Sequence, residues 1–221
     1  MAVSVSTFVV RTLINPSEVE LAKALAVLNA AYSLSEPALY ASAGPEHFAD
    51  LLPALNAANL RAAAIAGEIY VAEDREGRYL GVAIGFGPGR EIFDCEDQTT
   101  QALQMLVSRL PAHVHAWNQK MSPDIDNFKV RAFGDAGEKT RWSVHRLGVK
   151  PEYQRQGVGS RLVQHICAKA SGYNVTSQAT DGRGIQLYSH LGFKTRASVQ
   201  IEAPHGKFTL TALMWCSPAP A

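Results

Sequence analysis

The chain has 221 residues, of which 47% are hydrophobic, and its 21 basic and 20 acidic residues leave a formal net charge of +1. This length and composition predict a single domain over residues 1–221 with one well-buried core. No run of like charge indicates a nucleic-acid groove or a basic membrane anchor, and the three cysteines have the spacing of neither a disulfide framework nor a zinc site. We therefore expect a cytoplasmic protein, a monomer or homodimer, that binds small molecules and uses no metal, nucleic acid or membrane.

Turn residues and apolar periodicity predict one strand, two helical regions and a hairpin in the first half of the chain. Asn15 and Pro16 are typical of the N-cap and first residue of a helix, and Gly67 is typical of the end of a helix. The predicted elements are a strand over 7–13, a helix from about 16 to 32, a loop over 33–44, a helical region over 45–67, and strands over 68–73 and 78–86.

In the second half, a helix over 99–121 that is kinked at Pro111 precedes a long loop over 122–139, which is rich in Asp, Gly and Pro. The elements that follow are a strand over 141–149, a helix over 157–171, a strand over 174–178, a short helix over 182–190, and strands over 193–201 and 207–215. This mixed order predicts an α/β fold in which helices cover both faces of a central sheet.

The turn after the strand over 141–149 is the most informative local feature. Gly157 and Gly159 leave backbone N–H groups uncovered at a helix N-terminus, where the peptide dipole favours an anion such as a pyrophosphate. A dinucleotide fingerprint is disfavoured because its third glycine would fall at Leu162, and a nucleotide-hydrolase loop is disfavoured because no lysine follows the glycines. A tight turn without a ligand is the alternative for the glycines taken alone.

Two motifs follow one another at and after this turn. Residues 154–159, QRQGVG, match the pattern (Q/R)xxGx(G/A), and residues 185–193, IQLYSHLGF, are similar to the signature LYxxLGF. In both, the chain resembles the GNAT superfamily of N-acetyltransferases. The resemblance implies a central, twisted, mostly antiparallel sheet of about seven strands, splayed at the fourth and fifth strands, with helices on both faces. The inserted helix and loop over about 91–139, between the third and fourth strands, resemble those of fungal members of uncertain substrate.

The resemblance implies acetyl-CoA as the co-substrate and indicates its contacts. Backbone N–H groups of the strand would hold the pantetheine arm and polarise the acetyl carbonyl, and main-chain amides of the turn would hold the pyrophosphate. The implied residues are Leu147, Gly148 and Val149 on the strand, and Gln154, Arg155, Gln156, Gly157, Val158, Gly159 and Ser160 at the turn.

Three side chains are candidates for proton transfer. Tyr188 matches the family tyrosine that protonates the sulfur of CoA, and the alternative is an aromatic ring packed on a short helix. His145 is the first candidate base, because strand alternation places Ser143, His145 and Leu147 on one face and arylalkylamine acetyltransferases carry a histidine at the matching place. The alternative is a buried histidine satisfied by one hydrogen bond. Glu73, at the end of an earlier strand, is the runner-up base or a solvated strand end.

These residues predict an acetyl-CoA-dependent N-acetyltransferase that modifies a primary amine of a small molecule by direct attack. The alternatives are a protein lysine or N-terminal acetyltransferase and a CoA-binding domain without turnover. An open groove would favour a protein acceptor, and a closed pocket would favour a small amine.

Overall fold

Seven strands form one sheet in the computed structural model, which describes residues 7–33, 35–134 and 140–217. The strands are β1 (Phe8–Leu13), β2 (Glu68–Asp74), β3 (Tyr79–Phe86), β4 (Arg141–Val149), β5 (Asn174–Ala179), β6 (Lys194–Ala203) and β7 (Gly206–Trp215). Their spatial order is β1-β2-β3-β4-β5-β7-β6; β4 and β5 are parallel, and every other neighbouring pair is antiparallel. The predicted mixed fold around a mostly antiparallel sheet of seven strands is confirmed.

Helices cover both faces of this sheet, as predicted. They are α1 (Glu18–Tyr32), α2 (Pro37–Ala43), α3 (Pro45–Ala66), α4 (Glu96–Gln98), which a π-helical turn (Thr99–Leu103) joins to α5 (Gln104–Val107), α6 (Ala112–Phe133), α7 (Val158–Lys169) and α8 (Gly182–His190). None of the described helices combines the length and the apolar character that a membrane span requires. On one face α1 and α3 bury Leu28 and Leu60 against Val82, and on the other face α7 buries Leu162 and Ile166. Each face therefore has its own apolar core.

Helix α1 begins at a capping box formed by Ser17 and Glu20. Ser17 Oγ accepts a hydrogen bond from Glu20 N–H at 3.3 Å, and the Glu20 carboxylate accepts one from Ser17 N–H at 3.0 Å. The predicted cap, Asn15, lies two residues earlier and has a φ of 49°. The helix therefore starts two residues later than its sequence predicts, because the reciprocal pair satisfies two N–H groups and a single cap satisfies only one.

Part of the predicted loop over 33–44 is helix α2. The helix has 7 residues, too few to show the apolar periodicity from which helices are predicted. Leu39 and Ala43 are buried in the same apolar cluster as Leu51 of α3. Tertiary packing therefore forms this helix, as it does for most short helices.

The predicted loop over 122–139 is also wrong, because α6 continues to Phe133. The stretch is polar and contains a proline, but Phe128 and Ala132 are buried in a cluster with residues of β6 and β7. Residues 135–139 of this predicted loop lie outside the described part of the chain.

The helix predicted over 99–121 is interrupted rather than kinked. Helix α5 ends at Val107, and α6 starts directly after Pro111. Proline lacks a backbone N–H and fixes φ, so it is favoured at the start of a helix and costly in its interior, although α3 and α6 do contain Pro53 and Pro123. The proline therefore separates two helices.

Strands β4 and β5 separate part-way along their length, as predicted. Their parallel pairing runs from Arg141 opposite Asn174 to Val144 opposite Ser177. Strand β4 then continues to Val149, with β3 as its partner. The divergence opens a wedge in the sheet between β4 and β5.

A β-bulge at His145 lies at the start of this wedge. In β3, Ile84 and Gly85 are adjacent, but they lie opposite Arg146 and Val144, so β4 contains one extra residue. A bulge bends its strand and reorients the side chain that it carries. The His145 side chain is therefore placed by the bulge and not by regular pleating.

The alternation predicted for β4 is wrong because of this bulge. Leu147 packs against the same core as Val144, whereas the ring of His145 lies 6.1 Å from that of Phe86, which belongs to the opposite core. Ser143, His145 and Leu147 therefore do not share one face, because the extra residue shifts the two-residue period.

Candidate active site

A continuous cavity of about 1060 Å³ runs through the wedge between β4 and β5. One end lies at the turn before α7, the middle passes β4, β5 and α8, and the other end lies between α2, α6 and β7. The glycine turn, the divergent strands and the space under α6 therefore belong to one site.

The turn at one end presents bare backbone to the cavity. Arg155 and Gly157 adopt positive φ values of 61° and 81°. Helix α7 begins after Gly157 without any side-chain cap, so its first N–H groups remain available to a ligand. A Cβ at Gly159 would come within 3.4 Å of Leu187, in the helix that faces the turn. This geometry matches a site for a phosphate group.

Six of the seven residues predicted at the turn line the cavity: Gln154, Arg155, Gly157, Val158, Gly159 and Ser160. The Gln154 side chain donates to the Val149 carbonyl at 3.0 Å and ties the turn to the end of β4. Gln156 does not line the cavity, and its side chain donates back to the Glu152 carbonyl at 2.9 Å. Only the backbone of Gln156 is left for the predicted role.

The backbone of Leu147 and Val149 faces the wedge. Lys150 N–H donates to the Leu80 carbonyl at 3.0 Å, which marks a hydrogen-bonded pair with β3. Because such pairs alternate along an antiparallel ladder, the N–H and C=O groups of Leu147 and Val149 point away from β3. Both residues and Gly148 line the cavity, as predicted for the cofactor contacts.

The hydroxyl of Tyr32, at the end of α1, lies on the Leu147 backbone. It donates to the Leu147 carbonyl at 2.8 Å and accepts from the Leu147 N–H at 3.3 Å. Gly148 allows the approach, since a Cβ there would lie 2.9 Å from Ala31 and 3.0 Å from Leu28. Helix α1 therefore packs directly on β4 at the residues predicted to hold the cofactor.

Tyr188 lies on α8 and points into the same cavity. Its side chain is buried against Phe193, with ring centroids 5.0 Å apart, and its hydroxyl lies within hydrogen-bonding reach of Ser177. Ser177 Oγ in turn donates to the Val144 carbonyl at 3.0 Å. Burial raises the pKa of Tyr188 above its ordinary value, so the phenol is protonated at neutral pH.

His145 also lines the cavity, but its environment disfavours protonation. The surrounding protein atoms, followed by the positive charges of Arg146 and Lys129, lower the pKa of His145, although the residue remains exposed to solvent. Its imidazole is therefore neutral at physiological pH and a weak base, poorly matched to an ammonium proton.

We expect the imidazole of His145 to titrate below the range of a free histidine, because the surrounding protein atoms and two cations lower its pKa. Unfolding restores the ordinary pKa, so the stability that His145 contributes is complete above about pH 6.5 and declines as the pH falls through the lowered pKa of the folded state. Imidazole ¹H–¹⁵N NMR measures this directly, with the signal assigned from the spectrum of a His145→Asn variant. A titration midpoint above roughly pH 5.5 would contradict the expectation.

Glu73, the runner-up base, is not brought together with Tyr188 and His145. Its carboxylate lies 2.5 Å from Arg11 Nε in an ion pair between β2 and β1. Glu73 does not line the cavity. The ion pair with Arg11 could not be predicted, because a carboxylate at a strand end has no sequence signal for its partner.

Glu36 is the acidic side chain that sequence reasoning missed. It precedes α2, is 8% exposed, and lines the cavity. Its Oε2 lies 2.9 Å from Arg146 Nη1, but not in hydrogen-bond geometry. Burial raises the pKa of Glu36 above its ordinary value, and the charge of Arg146 opposes this shift. No motif marks this residue, since it lies in the segment predicted as a loop.

A buried network holds Arg146 in place for Glu36. Asn56 Oδ1 accepts from Arg146 Nε and Nη2 at 3.0 and 2.8 Å, and Asn56 Nδ2 donates to Asn29 at 2.9 Å. The Arg146 guanidinium lies over the Tyr32 ring, 3.9 Å from its centroid. Helices α1 and α3 therefore position the charge that faces Glu36.

Comparison with known proteins agrees with this geometry. Residues 126–195, which contain both sequence motifs and Tyr188, match the Acetyltransferase (GNAT) domain family. No curated protein matches the chain significantly.

Several solved structures are similar to this fold. A protein from Corynebacterium glutamicum, described as histone acetyltransferase HPA2 and related acetyltransferase, is 22% identical, with a TM-score of 0.63 over 97% of this chain and 98% of that one. A polyamine N-acetyltransferase from Drosophila melanogaster that forms N-acetylagmatine is 16% identical, with a TM-score of 0.59 over 95% and 99% of the two chains. A mosquito arylalkylamine N-acetyltransferase-like protein is also 16% identical, with a TM-score of 0.58 over 95% and 99%. Residues 126–195 therefore match the GNAT acetyltransferase domain, and the chain as a whole has the fold of the solved GNAT acetyltransferases.

Proposed function

We infer that this protein transfers an acetyl group from acetyl-CoA to a primary amine of a small molecule, by direct attack of the amine. The observation that carries this inference is the single cavity that joins the glycine turn to Tyr188 and Glu36. An uncapped helix start, a buried phenol and a buried carboxylate along one cavity support an anion site, a proton donor and a proton acceptor.

The residues of this chain fit acetyl-CoA. The uncapped start of α7 and the positive φ of Gly157 suit the pyrophosphate, and the wedge-facing N–H groups of Leu147 and Val149 suit the pantetheine arm and the acetyl carbonyl. Bound there, acetyl-CoA would supply an acetyl group activated as a thioester. Family members use this co-substrate.

Glu36 is the base in this proposal. A primary ammonium with a pKa near 10.4 is only about 0.1% neutral at pH 7, so removal of its proton assists attack. The raised pKa of Glu36 makes its carboxylate a stronger base than an exposed glutamate, and Arg146 keeps it ionised. His145, whose pKa is lowered, serves in this proposal as part of the cavity wall and as a neutral hydrogen-bond acceptor.

Tyr188 is the acid. Its protonated phenol faces the wedge and donates a proton to the sulfur atom of the departing thiolate. Both proton-transfer groups belong to the protein, so the amine attacks directly and no covalent bond to the enzyme forms.

A protein acceptor and a non-catalytic CoA-binding domain are the competing functions. Side chains of α2 and α6 line the cavity at the end opposite the turn, and a pocket between helices supports a small acceptor. Two similar folds are named for small amines, a polyamine acetyltransferase and an arylalkylamine acetyltransferase-like protein, whereas a third is named for a histone acetyltransferase.

The test is release of CoA thiol from acetyl-CoA when small primary amines, a lysine peptide or a peptide with a free N-terminus is added. Release with small amines supports the proposal. Release with peptides alone would favour a protein acceptor, and no release with any amine or acyl-CoA would leave a binding domain.

We expect Gly157→Ala to weaken acetyl-CoA binding roughly tenfold or more, because a Cβ at this left-handed turn strains the backbone and holds the phosphate away from the helix N-terminus. Gly89→Ala is the matched control. Gly89 has a φ of 82° and open space around it, as Gly157 does with 81°, but it lies outside the cavity. Calorimetry with acetyl-CoA measures both. Equal affinities for the two variants would contradict the assignment of the turn.

A further inference from the structure

The end of the cavity beyond Glu36 and His145 is an apolar pocket, which we call the acceptor pocket. It lies between α2, α6 and β7 and is lined by Leu39, Leu110, Val114, Ile125, Phe208 and Leu210. Several of these side chains belong to the two apolar clusters that join α2, α3, α6 and the β6–β7 hairpin. Ser42 of α2 and Asn118 of α6 also line the cavity, but apolar side chains predominate at this end.

The carboxylates around the cavity already have partners. Among the described lining residues the carboxylates are Glu36, Glu91 and Asp181. Glu36 faces Arg146 at 2.9 Å, and Glu91 faces Lys129 at 3.1 Å and Arg141 at 3.6 Å.

Asp181 is the third carboxylate and serves the helix that carries Tyr188. Its Oδ1 accepts from the Gly184 N–H at 2.6 Å and caps α8. It lies at the wedge and not in the acceptor pocket. A second ammonium or a guanidinium on the acceptor would therefore enter the pocket without a carboxylate reserved for it.

The energetic consequence separates two kinds of amine. Burying a cation without a counter-charge is strongly unfavourable, whereas each buried methylene improves binding roughly fourfold. A chain that ends in a methyl group therefore gains affinity from the same pocket in which a chain that ends in a charge loses it.

We propose that the acceptor is an amphipathic monoamine, with one primary amine at Glu36 and an apolar, uncharged body in the acceptor pocket, and not a diamine, a polyamine or a guanidino-amine. The proposal rests on the proposed function and extends it. The amine nitrogen lies between Glu36 and the wedge, and the body of the molecule extends under α6 toward Ile125 and Phe208.

The test compares amines of equal size that differ in the charge at the far end. Hexylamine and 1,5-diaminopentane have the same number of heavy atoms, and 2-phenylethylamine and agmatine extend the comparison. We expect kcat/KM for hexylamine to exceed that for 1,5-diaminopentane at least a hundredfold, with 2-phenylethylamine also favoured over agmatine. Equal values, or higher values for the cationic members, would overturn the proposal and leave the acetyltransferase function intact. No thiol release with any of the four amines, despite binding of acetyl-CoA, would overturn both.

A variant tests the location of the pocket. Ile125→Glu places a carboxylate in the acceptor pocket, and we expect it to lower the hexylamine-to-diamine ratio at least tenfold. Val130→Glu makes the same change in charge on α6 at a side chain that is 46% exposed and does not line the cavity, and it should leave the ratio unchanged. Equal ratios in the two variants would place the acceptor body elsewhere. The wild-type comparison remains decisive if Ile125→Glu does not fold.

Discussion

Replacing Glu36 by glutamine is expected to lower kcat by roughly 10²–10⁴-fold at neutral pH while acetyl-CoA still binds. Glutamine keeps the shape of the side chain but cannot take the ammonium proton. The raised pKa of Glu36 gives the wild-type enzyme an acidic limb in its kcat profile with a midpoint above that of an ordinary glutamate. The variant should lack this limb, and its rate should rise with pH as the fraction of neutral amine grows. Initial rates of thiol release between pH 5 and about 9 measure both effects.

Two controls separate catalysis from the loss of an ion pair. Glu73→Gln removes another carboxylate that pairs with an arginine, at Arg11, but it lies outside the cavity and should leave kcat within about threefold of wild type. Thermal unfolding of Glu36→Gln reports any cost of leaving Arg146 without its counter-charge. A Glu36→Gln enzyme that keeps more than about a third of the wild-type kcat would remove Glu36 as the base.

Replacing Tyr188 by phenylalanine is expected to lower kcat by about 10²-fold or more, with a much smaller effect on acetyl-CoA affinity. The buried phenol lines the cavity, and a CoA thiolate whose acid has a pKa of about 8.5 departs faster when it receives a proton. Because burial raises the pKa of Tyr188, the basic limb of the wild-type kcat profile should lie above the range of an ordinary tyrosine. Single-turnover acetyl transfer to the best amine measures the chemical step itself.

Tyr70→Phe is the matched control for this change. Tyr70 is also fully buried on the sheet, but its hydroxyl donates to Glu68 and it does not line the cavity. We expect its kcat to stay near the wild-type value. Similar losses in both variants would show that Tyr188 acts through packing against Phe193 and not as a proton donor.

The part of the site that follows local sequence pattern was predictable. The turn from Gln154 to Ser160 and the position of Tyr188 depend on contiguous residues whose backbone needs are specific: a left-handed glycine, an uncapped helix start and a short helix after β5. Such features recur in sequence because few residue types satisfy them. The order of the strands along the chain was predictable for the same reason, since their apolar residues mark them one by one in the sequence.

The proposed base was not predictable, because its chemistry depends on distant partners. Glu36 differs from an exposed glutamate only through its burial and through Arg146, which is 110 positions away in sequence and is held by Asn56. The sequence marks His145 as a candidate base, but desolvation and two neighbouring cations lower its pKa, and the bulge sets the direction of its side chain. A pKa is a property of the assembled environment and not of a residue type.

The Tyr32 hydroxyl on the Leu147 backbone has a thermodynamic consequence. Any ligand that uses the Leu147 N–H must exchange with a hydrogen bond already present, so the free energy from that contact is a difference between two bonds, smaller than the roughly 1 kcal/mol of one bond. At the uncapped start of α7, by contrast, no capping side chain accepts a hydrogen bond from the first N–H groups. Affinity for acetyl-CoA should therefore come mainly from its phosphates, and the β4 contacts should serve to orient the thioester.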